Sequence, residues 1–219
     1  MTTHRRPPGW SRFRHWVAWI IPATATAAFF RIVYHARREG MDNIPPDGAI
    51  VYAANHQSHF DPPLVATAVR ERPCAFLARA SLFRPILFGR LIRFLNSIPL
   101  ERGRATTALR AAITELEAGR CVLLFPEGTR ASGAEVGKFR GGVVMLARRT
   151  GATIVPVAIA GARDIWPRSR RLPRLRGRLR VRIGAPLKSV DLEGTDEDVL
   201  ELLRTRIIAM REELQVRSV

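Results

Sequence analysis

The sequence predicts an α/β domain with a mostly parallel central sheet flanked by helices. Three observations predict it. Short apolar runs recur along the chain, segments of helical periodicity lie between them, and turn-forming residues separate the two kinds. The run Ala49–Ala54 reads as a buried strand. Pro62–Val69 reads as a helix with proline in its first turn, where a missing N–H costs nothing. Cys74–Ala78 is a second strand, and Ser81 is placed to cap a helix over Leu82–Phe94, kinked near Pro85. Ser97–Leu100 is a short extended segment. Leu109, Ala112, Ile113 and Leu116 give Ala105–Ala118 a helical apolar stripe, which Gly119 ends. Val122–Phe125 is a strand, Gly142–Arg149 a helix and Ile154–Ile159 a strand. Leu179–Ile183 alternates apolar residues with arginine, which predicts a half-exposed or edge strand. Asp196–Gln215 closes the chain as an amphipathic helix whose first turn is acidic. No internal repeat is visible.

A length of 219 residues suits one domain and a short accessory segment, and a hydrophobic content of 47% is enough for a sizeable core. The charge balance is unusual. Lys+Arg is 36 against 19 Asp+Glu, a formal net charge of +17. That points to an anionic partner: nucleic acid, a phosphorylated substrate or an anionic membrane surface. Lys138 and Lys188 are the only lysines, so nearly all the positive charge is arginine, which forms forked bonds to phosphate. A genome's coding bias is the competing explanation. Cys74 and Cys121 stand apart in apolar surroundings and read as buried small hydrophobes, with no metal or disulfide pattern.

Residues 1–38 differ from the remainder, 39–219, which form the expected domain. His4, Arg5, Arg6, Arg12 and Arg14 precede an apolar stretch from Trp16 to Tyr34, broken by Pro22 and Arg31. A signal peptide fits the basic start and the Ala-x-Ala pattern at Ala23–Ala27. A spanning helix needs about 20 apolar residues, and Pro22 interrupts this run. An interfacial or re-entrant anchor fits Trp10, Phe13, Trp16 and Trp19, which recur at three-residue spacing among arginines. We read the segment as such an anchor. A core helix would account poorly for the Trp/Arg interleaving. Farther on, Arg163–Arg182 is crowded with arginines. It is either a solvated charge run or a patch for anionic lipid head groups.

The chemistry concentrates in polar loops that follow buried strands, where open α/β sheets place their sites. The first is Asn55-His56-Gln57-Ser58-His59-Phe60-Asp61. A loop folded back on itself would let Asp61 fix one nitrogen of His56 and leave the other to act as base. The nucleophile would then be a substrate hydroxyl, although Ser58 keeps an acyl-enzyme route open. A metal site at His56, His59 and Asp61, or a structural His56, also fits these residues. The second loop is Phe125-Pro126-Glu127-Gly128-Thr129-Arg130, turn chemistry expected to project Glu127 and Arg130 into the same crevice. The segment Ile98–Arg102 places Arg102 at another strand end. Arg102 and Arg130 could clamp one phosphate, or Arg102 could pair with Glu127 or Glu101. Lys138 stands before a predicted helix start and is a further anion contact.

Together these residues resemble the glycerolipid acyltransferase family of the 1-acylglycerol-3-phosphate acyltransferase type. Asn55–Asp61 is similar to its NHxxxxD block, with His56 and Asp61 in the two named places. Arg102 matches the arginine that ends its second block, Phe125–Arg130 matches its FPEGTR block, and Ile154–Val157 is similar to its proline-containing fourth. The resemblance covers residues 40–190, with the blocks in the family's order. One departure is Asn96, where the second block usually opens with glycine. It bears on the acceptor rather than on the reaction class.

The resemblance implies an O-acyltransferase acting at a membrane surface with anionic lipids, on the inner face of the cytoplasmic membrane. A lysophospholipid hydroxyl attacks an acyl thioester, either acyl-CoA or acyl carrier protein, giving phosphatidic acid. His56 is the base and Asp61 orients it. Arg102, Glu127, Gly128, Thr129, Arg130 and Lys138 hold or shape the acceptor site. No metal and no bound cofactor are implied. Two alternatives remain open. One is a different acceptor, such as glycerol 3-phosphate or another lysolipid. The other is a non-catalytic basic protein that binds membranes or nucleic acid. The basic stretches lack stacking aromatics, which argues against nucleic acid.

Overall fold

The computed structural model describes residues 11, 13, 16–86, 89–90, 92, 97–100, 105–131, 133 and 135–216. Seven strands form one sheet: β1 (Arg37–Glu39), β2 (Ile50–Ala54), β3 (Cys74–Arg79), β4 (Ser97–Leu100), β5 (Cys121–Leu124), β6 (Thr153–Ala160) and β7 (Arg180–Ile183). Their order is β1-β7-β6-β2-β5-β3-β4. All neighbours are parallel except β6 and β7. A π-helical turn at Trp16–Ile20 leads into α1 (Ile21–Tyr34). The later helices are α2 (Asp61–Ala68), α3 (Ala105–Glu117), α4 (Gly142–Thr150), α5 (Ala162–Ile165) and α6 (Asp196–Val216). The expected helix at Leu82–Phe94 falls largely outside the described residues, as do Asn96, Glu101 and Arg102.

The two-residue period of β2 divides the core into two layers. Ile50, Tyr52 and Ala54 face one side, with Phe30 and Tyr34 of α1 and Leu64 and Val65 of α2. Val51 and Ala53 face the other, with Ala112 and Leu116 of α3, Val144 and Leu146 of α4, and Leu203 and Ile207 of α6. Both faces of β2 are therefore covered, which is why its five residues are all apolar and buried. Burying a side chain of the size of Leu64 stabilises by about 1.5–3 kcal/mol. Loss of either helical layer would therefore remove several such terms.

Two expectations need correction. β7 is not an edge strand: β6 flanks it on one side, antiparallel, and β1 on the other. The sequence predicts no strand at β1, because Arg37-Arg38-Glu39 carries no apolar signal. The alternation in β7 is real, but its arginines find their partners within the fold. Arg180 is buried and donates to the His35 carbonyl at 2.9 Å, and Arg182 pairs with Glu39 at 2.7 Å. Trp19 also turns inward rather than toward a lipid interface. It is buried, stacks on Phe76 with ring centroids 5.7 Å apart, and donates from its indole to the Arg70 carbonyl. Trp10 lies outside the described residues. The exposed apolar face of α1 is instead Ile21, Phe29 and Ile32. Val17–Tyr34 is long and apolar enough to enter or cross a membrane.

Gly161 closes the turn after β6 at φ +80°, and a Cβ there would lie 1.9 Å from the Arg178 carbonyl oxygen. Gly161→Ala adds the left-handed backbone penalty to a clash with main chain, so we expect a stability loss of at least about 2 kcal/mol in denaturant unfolding.

Candidate active site

The site forms at the carboxyl ends of β2 and β5, which are adjacent in the sheet. After β2 the chain turns sharply, and Asp61 begins α2. Pro62 and Pro63 follow it and offer no N–H groups, so the carboxylate turns back onto its own loop. Asp61 Oδ2 accepts from the Gln57 N–H at 2.6 Å and the Ser58 N–H at 2.7 Å, and lies 2.8 Å from His56 Nδ1. The Asp61 side chain is 0% exposed and that of His56 is 18% exposed. Asp61 Oδ1 is buried and has no hydrogen-bond partner among the described residues. An ionised acceptor next to Nδ1 favours a proton on that nitrogen and leaves Nε2 to take one from outside. Phe125 stacks on the imidazole with centroids 4.0 Å apart, which fixes the plane of the ring.

Asn55 holds the base of the loop. Its side-chain amide donates to the Ile159 carbonyl at 3.1 Å, and its oxygen accepts from the Ile159 N–H at 2.8 Å. This ties β2 to β6 where the ladder ends. Ser58 is likewise committed to structure. Its hydroxyl donates to the Trp166 carbonyl at 2.8 Å and accepts from the Phe60 N–H, a poor start for an acyl-enzyme nucleophile.

Glu127 differs from expectation. It is 7% exposed, and both carboxylate oxygens are taken by main chain. Oε1 accepts from the His56 N–H at 2.7 Å and Oε2 from the Gly137 N–H at 2.9 Å. Burial pushes its carboxyl above the ordinary range, and the two amides pull it back. Glu127 therefore braces the His56 loop from β5. Gly128 completes the turn, donating its N–H to the Phe125 carbonyl at 2.9 Å with φ +72°. Thr129 is exposed beside it. Arg130 reaches across to His59 and hydrogen-bonds its Nε2, which requires that nitrogen to be an acceptor. Burial and the nearby guanidinium both lower the pKa of His59, in keeping with a neutral ring. His59 also packs on Trp166, with centroids 4.7 Å apart.

The structure thus brings His56, Asp61, Glu127, Gly128 and Arg130 together. Lys138 is exposed on the adjoining segment, and Arg102 lies outside the described residues. Arg140, which the sequence did not single out, lies across Gly128: a Cβ there would be 3.0 Å from its Nε. Arg204 of α6 was also missed. It donates to the carbonyls of Val136 and Gly137, both at 3.2 Å. A continuous chain of contacts therefore runs from Arg204 through Gly137 and Glu127 to His56 and Asp61. Only the fold brings residues so distant in sequence together, so no local motif pointed to Arg204. Among the described residues, no three His, Cys, Asp or Glu side chains gather to hold a metal ion.

Glu127→Gln keeps the side chain's size but sets an amide NH2 against a backbone N–H. We expect a stability loss of about 1–3 kcal/mol, read from the denaturant midpoint. Arg204 and Glu127 act on the same residue, Gly137. A double-mutant cycle of Glu127→Gln with Arg204→Ala should therefore show a coupling of about 0.5–3 kcal/mol, and strict additivity would remove the proposed chain.

Known proteins resemble this chain in sequence and fold. The chain is similar to a solved 1-acyl-sn-glycerophosphate (LPA) acyltransferase from Thermotoga maritima, with a TM-score of 0.82 and 30% identity over 92% of this chain and 81% of that one. It is 28% identical over 193 residues to a chloroplastic 1-acyl-sn-glycerol-3-phosphate acyltransferase of Arabidopsis thaliana, covering 86% of this chain and 51% of that protein. A 1-acyl-sn-glycerol-3-phosphate acyltransferase of Bacillus subtilis is 26% identical over 177 residues, 80% of this chain and 82% of its own length. The chain spans only about half the length of its plant and algal relatives (51%, 45% and 46%). Residues 35–160 match the sequence pattern of the Acyltransferase family and contain both strand-end loops of the site, so the chain belongs to that family.

Proposed function

We propose that this protein is an O-acyltransferase that moves a fatty acyl group from an acyl thioester, acyl-CoA or acyl carrier protein, to the free hydroxyl of 1-acylglycerol 3-phosphate. The product is phosphatidic acid. The observation that carries the reading is the His56–Asp61 pair: a partly exposed imidazole held at Nδ1 by a fully buried carboxylate, beside the Arg130 guanidinium.

In this reading, His56 Nε2 removes the proton from the acceptor hydroxyl as the oxygen attacks the thioester carbonyl. The imidazolium forms against Asp61, which stabilises it without taking the proton. Collapse of the tetrahedral intermediate breaks the C–S bond, and the proton passes to the departing thiolate. No enzyme nucleophile, metal or bound cofactor takes part. Arg130, with Arg102 and Lys138, binds the acceptor phosphate through charge-assisted bonds. Gly128 and Thr129 shape the turn that presents Arg130, and Glu127 acts on the acceptor site only through the loop it braces. Residues 1–38 serve as the membrane-anchoring segment, docked on the 39–219 domain through Trp19, Phe30 and Tyr34, all buried. The protein would then sit on the inner face of the cytoplasmic membrane as a peripheral or monotopic enzyme, bound to anionic lipid and not to nucleic acid.

A donor-by-acceptor assay on liposomes tests this. Acyl-CoA or acyl carrier protein with lysophosphatidic acid should yield phosphatidic acid, and His56→Ala should abolish turnover. Asp61→Asn should lower kcat by about 10⁴ if it holds the imidazole as in Ser-His-Asp sites. Unchanged turnover in His56→Ala would remove the assignment of the base. A strong preference for a phosphate-free acceptor would remove the role given to Arg130 and point to another acceptor.

A further inference from the structure

The loop between α5 and β7 has a composition that the site does not use. No acidic residue occurs between Asp164 and Asp191, while Arg168, Arg170, Arg171, Arg174 and Arg176 are all exposed. Among these cations stand Leu172 and Leu175, 75% and 77% exposed. A loop that merely stayed soluble would have no need to hold two leucines in water. The apolar bodies and the charges are interleaved as at a lipid interface, where aliphatic groups enter and guanidiniums meet phosphates.

The loop is pinned at its backbone. The Arg174 N–H donates to the Ile165 carbonyl at 2.9 Å, and the Tyr34 hydroxyl donates to the Arg174 carbonyl at 3.0 Å. The Trp166 indole donates to the Arg170 carbonyl at 3.1 Å. Tyr34 ends α1, so the loop rests against the same helix that exposes Phe29 and Ile32, the latter 74% exposed. At its other end the loop begins beside the catalytic loop. Ser58 forms a β-bridge with Pro167, and its hydroxyl donates to the Trp166 carbonyl.

We propose that 167–178 is a second membrane contact, in which Leu172 and Leu175 enter the interface of an anionic bilayer while the surrounding arginines bind lipid phosphates. The inference rests on the reading above that α1 anchors the protein at a membrane. It adds a second, charge-selective point of attachment. One helix leaves a protein free to roll about its axis, and two separated contacts fix the roll. Because the loop is bonded to the catalytic loop through Trp166 and Ser58, the fixed orientation is that of the site itself. The membrane surface, rather than a soluble acidic carrier protein, is favoured by the two exposed leucines and by the apolar face of α1 beside them.

The test is vesicle flotation of the full chain without substrate. It uses phosphatidylcholine vesicles and vesicles with one third phosphatidylglycerol. Arg170→Gln/Arg171→Gln/Arg176→Gln should lower partitioning onto the anionic vesicles by about a hundred-fold, roughly five-fold per arginine, and change little on phosphatidylcholine. Arg110→Gln/Arg149→Gln/Lys188→Gln removes equal charge from exposed positions on the α3 and α4 side and should have far less effect. Leu172→Ser/Leu175→Ser should weaken binding to both vesicles by at least about ten-fold. Equal losses from the two charge triples, or no loss from the leucine pair, would overturn the proposal. So would retained vesicle binding with lost capture of acyl carrier protein, which would assign the loop to that carrier. Turnover of short-chain, water-soluble donor and acceptor should be unchanged in the loop variants, which shows that they fold. A wild-type chain that floats but lacks this turnover would remove the acyl-transfer reading and leave the docking surface standing.

Discussion

The buried carboxylate of Asp61 is the interaction on which the site depends. One oxygen collects three contacts, from the His56 ring and from two successive backbone N–H groups. A carboxylate with no exposure is costly to bury unless its charge is met, and charge-assisted bonds of this length meet it. The loop 55–60 therefore has strong reason to close on Asp61, and closing it sets the imidazole. Geometry and charge are provided together: the anion that folds the loop is also the anion that would stabilise an imidazolium. The two prolines that follow matter for the same reason. They remove the amides that would otherwise compete for the carboxylate at the start of α2.

A loop organised by one residue still has to be held relative to the sheet, and two further ties do this. Asn55 fastens its entry to β6, and Glu127 fastens His56 to β5. Glu127 is a second buried carboxylate near the first, and the bonds to its two oxygens and most of those to Asp61 Oδ2 come from main chain. Such bonds depend on the backbone path and not on the identity of neighbouring side chains. The path of 136–137 is in turn set by Arg204 from α6, at the far end of the sequence. The packed α6 layer thereby contributes to the position of His56 without approaching it.

How much of this was legible follows from where each signal lies. β2, β5 and β6 were visible because strands covered on both faces must be apolar throughout, and the loops after β2 and β5 were visible because polar clusters follow such strands. The pairing of His56 with Asp61 was legible because both lie within one short loop. Glu127 was found as a site residue but placed facing the acceptor. Its partners are backbone amides, and any residue type supplies those. β1 carried no pattern, since Arg37 and Glu39 are strand residues only because β7 offers them a ladder. Its spacing with Trp10 and Trp16 puts Trp19 on the lipid side. Spacing along a helix does not say which face meets the domain, and Phe76 and the Arg70 carbonyl decided it.

The charge of +17 is also less uniform than composition suggests. A share of the arginines are internal fasteners. Arg72 is buried and donates to the carbonyls of Pro45 and Gly48, Arg38 donates to the Thr67 carbonyl, and Arg180 donates to those of His35 and Leu179. Guanidinium suits this work because its planar fork satisfies several carbonyls at once and it sheds water more readily than an ammonium group. Arg182 is offset by two carboxylates, Glu39 and Glu213. Among the described residues, exposed arginine without acidic neighbours in sequence is densest where the chain passes from α5 to β7. A field concentrated in this way would orient the molecule at an anionic surface, whereas the same charge spread evenly would only attract it. The arginine-rich loop and the loop 55–60 share Trp166, so in the proposed docking the direction in which the protein would settle on an anionic surface and the direction in which His56 faces are set by the same few hydrogen bonds.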